Sequence, residues 1–131
     1  MKLLLDTHYV IEVVGDREEG LGEPGLLDDL QSGNVFVASV VSLWEADIKR
    51  RMGKLRLSYG PKAWPPLLAT LNIELVSMET KHVFADIGME PGHKDPFDRA
   101  LLSTAAAEGC RLLTRDRLLQ SHPLAWRPFL R

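Results

Sequence analysis

A chain of 131 residues, 45% hydrophobic and 26% charged, has the size of one compact domain and is too short for two. Sixteen Lys and Arg against eighteen Asp and Glu leave a net charge of −2, which excludes a polybasic protein holding polyanions by bulk charge; any such binding must be local. The single cysteine, Cys110, excludes an internal disulfide and a Cys-rich zinc module, and no apolar run nears the roughly 20 residues that cross a bilayer.

The start MKLLLDTH meets an acid before any signal-peptide core develops, so a soluble, cytoplasmic protein with no membrane partner is expected. Lys2 to Leu5 is a short apolar run of strand length, closed by Asp6. HYVIEVVGDREEG, residues 8–20, reads as a first helix whose apolar face is interrupted by Glu12. Pro24 to Gly33 opens with proline, which suits a first helical turn, and Val35 to Ala38 is a second strand. In Val40 to Met52, the residues Val40, Leu43, Trp44, Ile48 and Met52 recur at helical spacing before Gly53, which places Trp44 in the core stripe. Helices are expected at Pro65 to Leu71, at Thr80 to Ile87 before Gly88, and at Pro96 to Glu108 before Gly109; strands are expected at Ile73 to Val76 and Arg111 to Thr114. Strands alternating with helices imply a three-layer α/β/α domain over residues 1–131, with a mostly parallel sheet covered on both faces.

In such sheets ligands bind at the carboxyl ends of the strands. Asp6 closes the first strand and Asp116 follows the last, while Glu45 lies in the helix after the second strand and Asp98 in the first turn of the helix leading into the last. Carboxylates gathered at one edge repel unless a cation intervenes, and a hard divalent ion such as Mg²⁺ is usually shared between carboxylates and substrate phosphate oxygens. That donor set points to phosphodiester chemistry. Local structural roles stand beside this reading. Asp6 and Asp116 suit N-caps of short following helices, Ser42-x-x-Glu45 has the form of a capping box, and Asp95 with Pro96 reads as an N-cap, with Asp98 favouring the helix dipole.

Four stretches then carry a family likeness: LLLDTH at 3–8, VSLWEADIKRRMGKL at 41–55, HKDPFDRALLSTAAAEG at 93–109 and LLTRD at 112–116. In this order and at these separations the chain resembles the PIN-domain ribonucleases, specifically the VapC-like toxins of type II toxin–antitoxin pairs. The resemblance implies that Asp6, Glu45, Asp98 and Asp116 bind the catalytic metal, Mg²⁺ or Mn²⁺, with Asp95 as a helix cap that reaches the metal through water. Thr7 and Thr114 lie beside these acids, open either to a contact with the metal shell or phosphate or to a local backbone bond. His8 and His93 fall inside the matching stretches and are read as turn or surface histidines, because an oxygen-rich site needs no nitrogen ligand. In this chain Glu12 stands where similar toxins keep an apolar first helix.

The resemblance further implies RNA as substrate, cut to leave a 5′-phosphate and a 3′-hydroxyl, a cognate antitoxin as partner, and a homodimer. Lys49, Arg50, Arg99 and Arg115 are interleaved with the acids and suit phosphate contacts, with pairing to nearby carboxylates as the alternative for Arg99 and Arg115. Trp44, Trp64 and Trp126 are rings suited to stacking on unpaired bases, but the spacing of Trp44 with Ile48 favours a core place for it. Two other readings stand against this one. A catalytically inert PIN-like interaction module would use the acids only as caps. A haloacid-dehalogenase-like phosphatase would need a second Asp two residues after Asp6, where this chain has His8.

Overall fold

The computed structural model describes residues 1–17, 33–92 and 95–127. Four strands, β1 (Lys2–Leu5), β2 (Val35–Ser39), β3 (Glu74–Val76) and β4 (Arg111–Leu113), form one all-parallel sheet in the order β3-β2-β1-β4. The helices are α1 (Thr7–Val14), α2 (Val40–Arg51), α3 (Trp64–Thr70), α4 (Thr80–Val83), α5 (Pro96–Glu108) and α6 (Arg117–Gln120), with a short 3-10 turn at Pro61–Ala63 ahead of α3.

Alternation along each strand divides the core into two. Leu3, Leu5, Phe36, Ala38 and Leu113 face one side, where Tyr9, Val10 and Val14 of α1 and Trp64 and Leu68 of α3 cover them. Leu4, Val37, Val76 and Leu112 face the other, under Leu101, Leu102 and Ala105 of α5 and Leu119 of α6. The sheet is therefore the middle of three layers, as its continuous apolar strands require. Leu3, Leu4 and Leu5 are fully buried, and each contributes roughly 1.5–3 kcal/mol by leaving water. Among the described residues no helix is long and apolar enough to cross a membrane.

Most expected elements are present, with shifted ends. The helix expected over Thr80 to Ile87 stops at Val83. Asp86 offers the reason, since its carboxylate accepts from Gly88 N–H at 2.8 Å, a local turn that competes with helix continuation. The helix expected at Pro24 to Gly33 lies, but for its last residue, outside the described residues.

The strand register sets the functional edge. β1 is central, with Leu4 level with Val37 and Leu112, so the chain leaves β1, β2 and β4 on the same edge at Asp6, Ser39 and Thr114. Asp6 N–H donates to Leu113 O at 3.0 Å, which carries the β1–β4 ladder up to the acid itself.

Candidate metal centre

Asp6 ends β1 and caps α1, its carboxylate accepting from Tyr9 N–H at 3.0 Å. The residue is 6% exposed. Burial pushes its carboxyl above the usual aspartate range, because removal from water disfavours the charged form; the Thr114 hydroxyl, the Tyr9 N–H and the nearby His8 pull it back, and the Glu45 charge adds to the rise. Asp6 is thus a buried carboxylate electrostatically coupled to a second one.

Glu45 reaches this edge from α2 and is 7% exposed. The capping box expected from Ser42 and Glu45 does not form, because α2 starts three residues earlier: Ser39 is the N-cap, its hydroxyl accepting from Val41 N–H at 3.0 Å. Glu45 is released from any capping duty and bonds across the molecule. The Thr7 hydroxyl donates to its Oε1 at 2.6 Å and lies 3.0 Å from Ser42 Oγ. Lys49, one turn further along α2, donates to its Oε2. The Thr7 hydroxyl thus bonds side chains of α2, those of Glu45 and Ser42. Burial pulls the Lys49 ammonium down, but the bond and charge of Glu45, with Asp95 and Asp98 adding to them, hold it above the ordinary lysine range.

Asp95 is the N-cap of α5, accepting from Phe97 N–H at 2.9 Å and Asp98 N–H at 3.3 Å, as expected. Asp98 then stands half-buried in the first turn. Asp116 caps α6, accepting from Leu118 N–H at 2.9 Å, and is exposed. Thr114 joins two of the acids, since its hydroxyl bonds the Asp6 carboxyl and accepts from Asp116 N–H at 3.0 Å.

The structure therefore places Asp6 within the field of Glu45, and Lys49, bonded to Glu45, within the fields of Asp95 and Asp98. Asp116 is tied in through its backbone. Among the described residues no three His, Cys, Asp or Glu side chains converge closely enough to chelate one ion on their own. The donor chemistry nonetheless fits a hard divalent cation. Carboxylates and hydroxyls line one edge, Asp6 and Glu45 are both buried there with Lys49 bonded to Glu45, and Mg²⁺ commonly takes only one or two protein carboxylates, filling its shell with water and substrate phosphate. His93 lies outside the described residues, and His8 is exposed, consistent with its reading as a surface histidine.

The cations have partners of several kinds. Lys49 is turned toward the acids, Arg50 and Arg51 pair with Asp47 at 2.7 and 2.8 Å, and Arg99 pairs with Glu90 at 2.9 Å and with the Ser103 hydroxyl. Arg115 lies over the Tyr9 ring, 5.1 Å from its centroid. Arg115, Tyr9, His8 and Asp116, with Glu12 and Arg17, line a cleft of about 410 Å³ beside Asp6. Glu12 and Arg17 form an ion pair at 2.6 Å, and no sequence motif places them in a site. The available signal was Glu12 itself, an acid that breaks an otherwise apolar helix face.

Trp44 overturns its expected place in the core. It is 63% exposed and meets Phe97 edge to face, with ring centroids 5.6 Å apart. Helical spacing points to Val40, Leu43, Trp44, Ile48 and Met52 as the inward stripe, whereas the buried face of α2 is Val41, Ser42, Glu45 and Ala46. The phase is set by what packs on α2, and both Trp44 and Met52 fall outside that contact.

Comparison with known proteins accords with this architecture. In fold, the chain is similar to a chain in the crystal structure of VapBC2 from Rickettsia felis bound to a DNA fragment from their promoter, with a TM-score of 0.59 and 17% identity over 95% of this chain and 96% of that one. Among curated protein sequences there is no match. A family model, the PIN domain, matches residues 3–123, a span that contains Asp6, Glu45, Asp98 and Asp116. This sets aside the haloacid-dehalogenase alternative: the chain belongs to the PIN-domain family.

Proposed function

We propose that this protein is a metal-dependent endoribonuclease, the toxin of a type II toxin–antitoxin pair, acting in the cytoplasm as a single domain over residues 1–131. The observation that carries the reading is the buried Asp6–Glu45 pair at the carboxyl edge of a parallel sheet, with Glu45 tied to Thr7 and serving no cap. The toxin assignment draws on the likeness to the VapBC2 structure and on the family motifs.

In this reading Asp6, Glu45, Asp98 and Asp116 hold Mg²⁺ or Mn²⁺, with Asp95 placed to reach it through water. When bound, the ion supplies polarisation of the scissile phosphate and a lowered pKa for the attacking water. The chain's own residues do the rest. Thr7 fixes the Glu45 carboxylate, and Thr114 orients Asp6 while positioning the Asp116 backbone. A carboxylate at the edge takes the proton of the attacking water. Arg115 and Arg17 line the adjoining cleft, where they suit phosphates of the RNA strand; Lys49 stands among the acids, and Arg50 and Arg99, paired with Asp47 and Glu90, are further phosphate contacts in this reading. Partners are the RNA substrate, a cognate antitoxin and a second copy of the chain.

The rival is an inert PIN-like module. The observations in its favour are that Asp6, Asp95 and Asp116 all cap helices and that no three acids converge among the described residues. Two measurements separate the readings. With millimolar Mg²⁺ or Mn²⁺ the melting temperature rises, by the equivalent of about 2.7 kcal/mol at a hundredfold excess over Kd, and Asp6→Asn with Asp98→Asn removes the rise. Single-stranded or looped RNA is cleaved, EDTA stops cleavage, and Asp116→Asn greatly weakens it. A metal-indifferent melting curve together with absent cleavage establishes the inert module.

A further inference from the structure

Trp44 is the feature the proposed chemistry leaves unused. Large aromatic rings are normally buried on average, yet this indole stands 63% exposed while Trp64 is fully buried and Trp126 is partly covered by the core. Its surroundings are specific. Trp44 precedes Glu45 on α2, and Phe97 precedes Asp98 on α5, so the Trp44–Phe97 contact spans the same seam that carries the two acids. Lys49 occupies that seam, bonded to Glu45 and within the fields of Asp95 and Asp98.

The rings meet at 90°, an arrangement that uses at most one face of the indole and holds it in place. A ring already held loses little freedom when a second flat group stacks on it. An occupant that suits this position brings a flat π-surface to the indole and polar groups that tolerate a charged seam, where the Lys49 ammonium is already met by Glu45. An unpaired nucleotide has both, whereas bases within a duplex are stacked on each other.

We infer that Trp44, braced by Phe97, is a stacking platform for an unpaired base of the RNA strand, next to the phosphate that lies over the acids. The platform gives the enzyme a preference for single-stranded or looped substrate without reading sequence. The inference rests on the ribonuclease reading above and adds a binding residue to it.

The test uses the full chain in EDTA, so that binding is read without cleavage. A fluorescein-labelled ten-nucleotide single-stranded RNA of mixed sequence is followed by anisotropy, and the same oligonucleotide without label by tryptophan emission. RNA is expected to quench the emission in the wild type and not in Trp44→Ala, whose Kd is about tenfold weaker at an unchanged melting temperature. Trp44→Phe is expected to stay within about threefold of wild type, since a ring remains, and a duplex of the same sequence should give no quenching. If the wild type binds the RNA and cleaves it once Mg²⁺ is added, but Trp44→Ala does both equally well, the platform is wrong and the ribonuclease reading stands. If the wild type neither binds nor cleaves it, the ribonuclease reading falls and the platform with it. Should Trp44→Ala instead convert a sedimenting dimer to monomer with RNA affinity intact, Trp44 belongs to an interface between copies, and the inference is overturned.

Discussion

Asp6 and Asp16 are both buried aspartates at the ends of α1, and they differ in how their charge is met. Asp16 is fully buried and accepts from Tyr59 N–H at 2.8 Å, Gly60 N–H at 2.9 Å and the Trp64 indole N–H at 2.8 Å. It pins the end of α1 to the turn that opens α3. Asp6 has one backbone N–H and one hydroxyl, with Glu45 as a like-charged neighbour. Three convergent donors make a buried carboxylate a structural tie, whereas too few donors and a second carboxylate leave it suited to a cation.

Substitutions can break that contrast, beginning with the largest effect. Asp6→Asn keeps a competent helix cap, so the fold survives, but single-turnover RNA cleavage should fall about a thousandfold, near 4 kcal/mol of transition-state stabilisation. Retained cleavage would make Asp6 a cap like any other. Asp16→Ala strands two backbone donors and the indole N–H, and should cost about 3 kcal/mol, a drop on the order of 10 °C in melting temperature by circular dichroism. Cleavage per folded molecule should be unchanged. A melting temperature within 2 °C, roughly half a kcal/mol, would refute the structural tie.

Thr7→Val sharpens the comparison, since it removes the hydroxyl that holds Glu45 while keeping its volume. It should lower cleavage about tenfold, with a change in stability near 1 kcal/mol. Equal losses in Thr7→Val and Thr7→Ser would argue against the hydroxyl as the active group, because serine retains it.

The smallest effect is the pH dependence of Asp6. Burial raises its carboxyl in the folded state, so between its unfolded and folded pKa the folded chain holds more protons. Its stabilising contribution is therefore complete below the unfolded value and is lost as pH rises through the folded one. In metal-free protein, Asp6→Asn should gain melting temperature relative to wild type from pH 4 to pH 7, and saturating Mg²⁺ should reverse the sign. A flat difference across that range would mean that Asp6 carries no burial strain.

Local rules located the chemistry-bearing residues more readily than they assigned their roles. The caps at Asp6, Asp95 and Asp116 are visible because each donor lies within three residues of its acceptor. Glu45 was readable both as the end of a capping box and as a ligand, and only the start of α2 at Ser39, with Thr7 arriving from 38 residues away, separates the two. Trp44 departs from its expected place for a related reason: periodicity gives the width of an apolar stripe and not the angle at which neighbours cover it. The Glu12–Arg17 pair and the cleft beside Asp116 had no local signature beyond one acid on an apolar face.

By itself the amino-acid order determined the strands, their parallel alternation with helices, the caps and the family motifs, because each depends on residues a few positions apart and on side-chain period. Tertiary structure decided which carboxylates are buried together, which one is neutralised by three donors from 43 to 48 residues away, and which tryptophan faces water. Desolvation is the physical reason. The energy of a charge or a ring depends on everything packed around it, and that surrounding comes from distant parts of the chain.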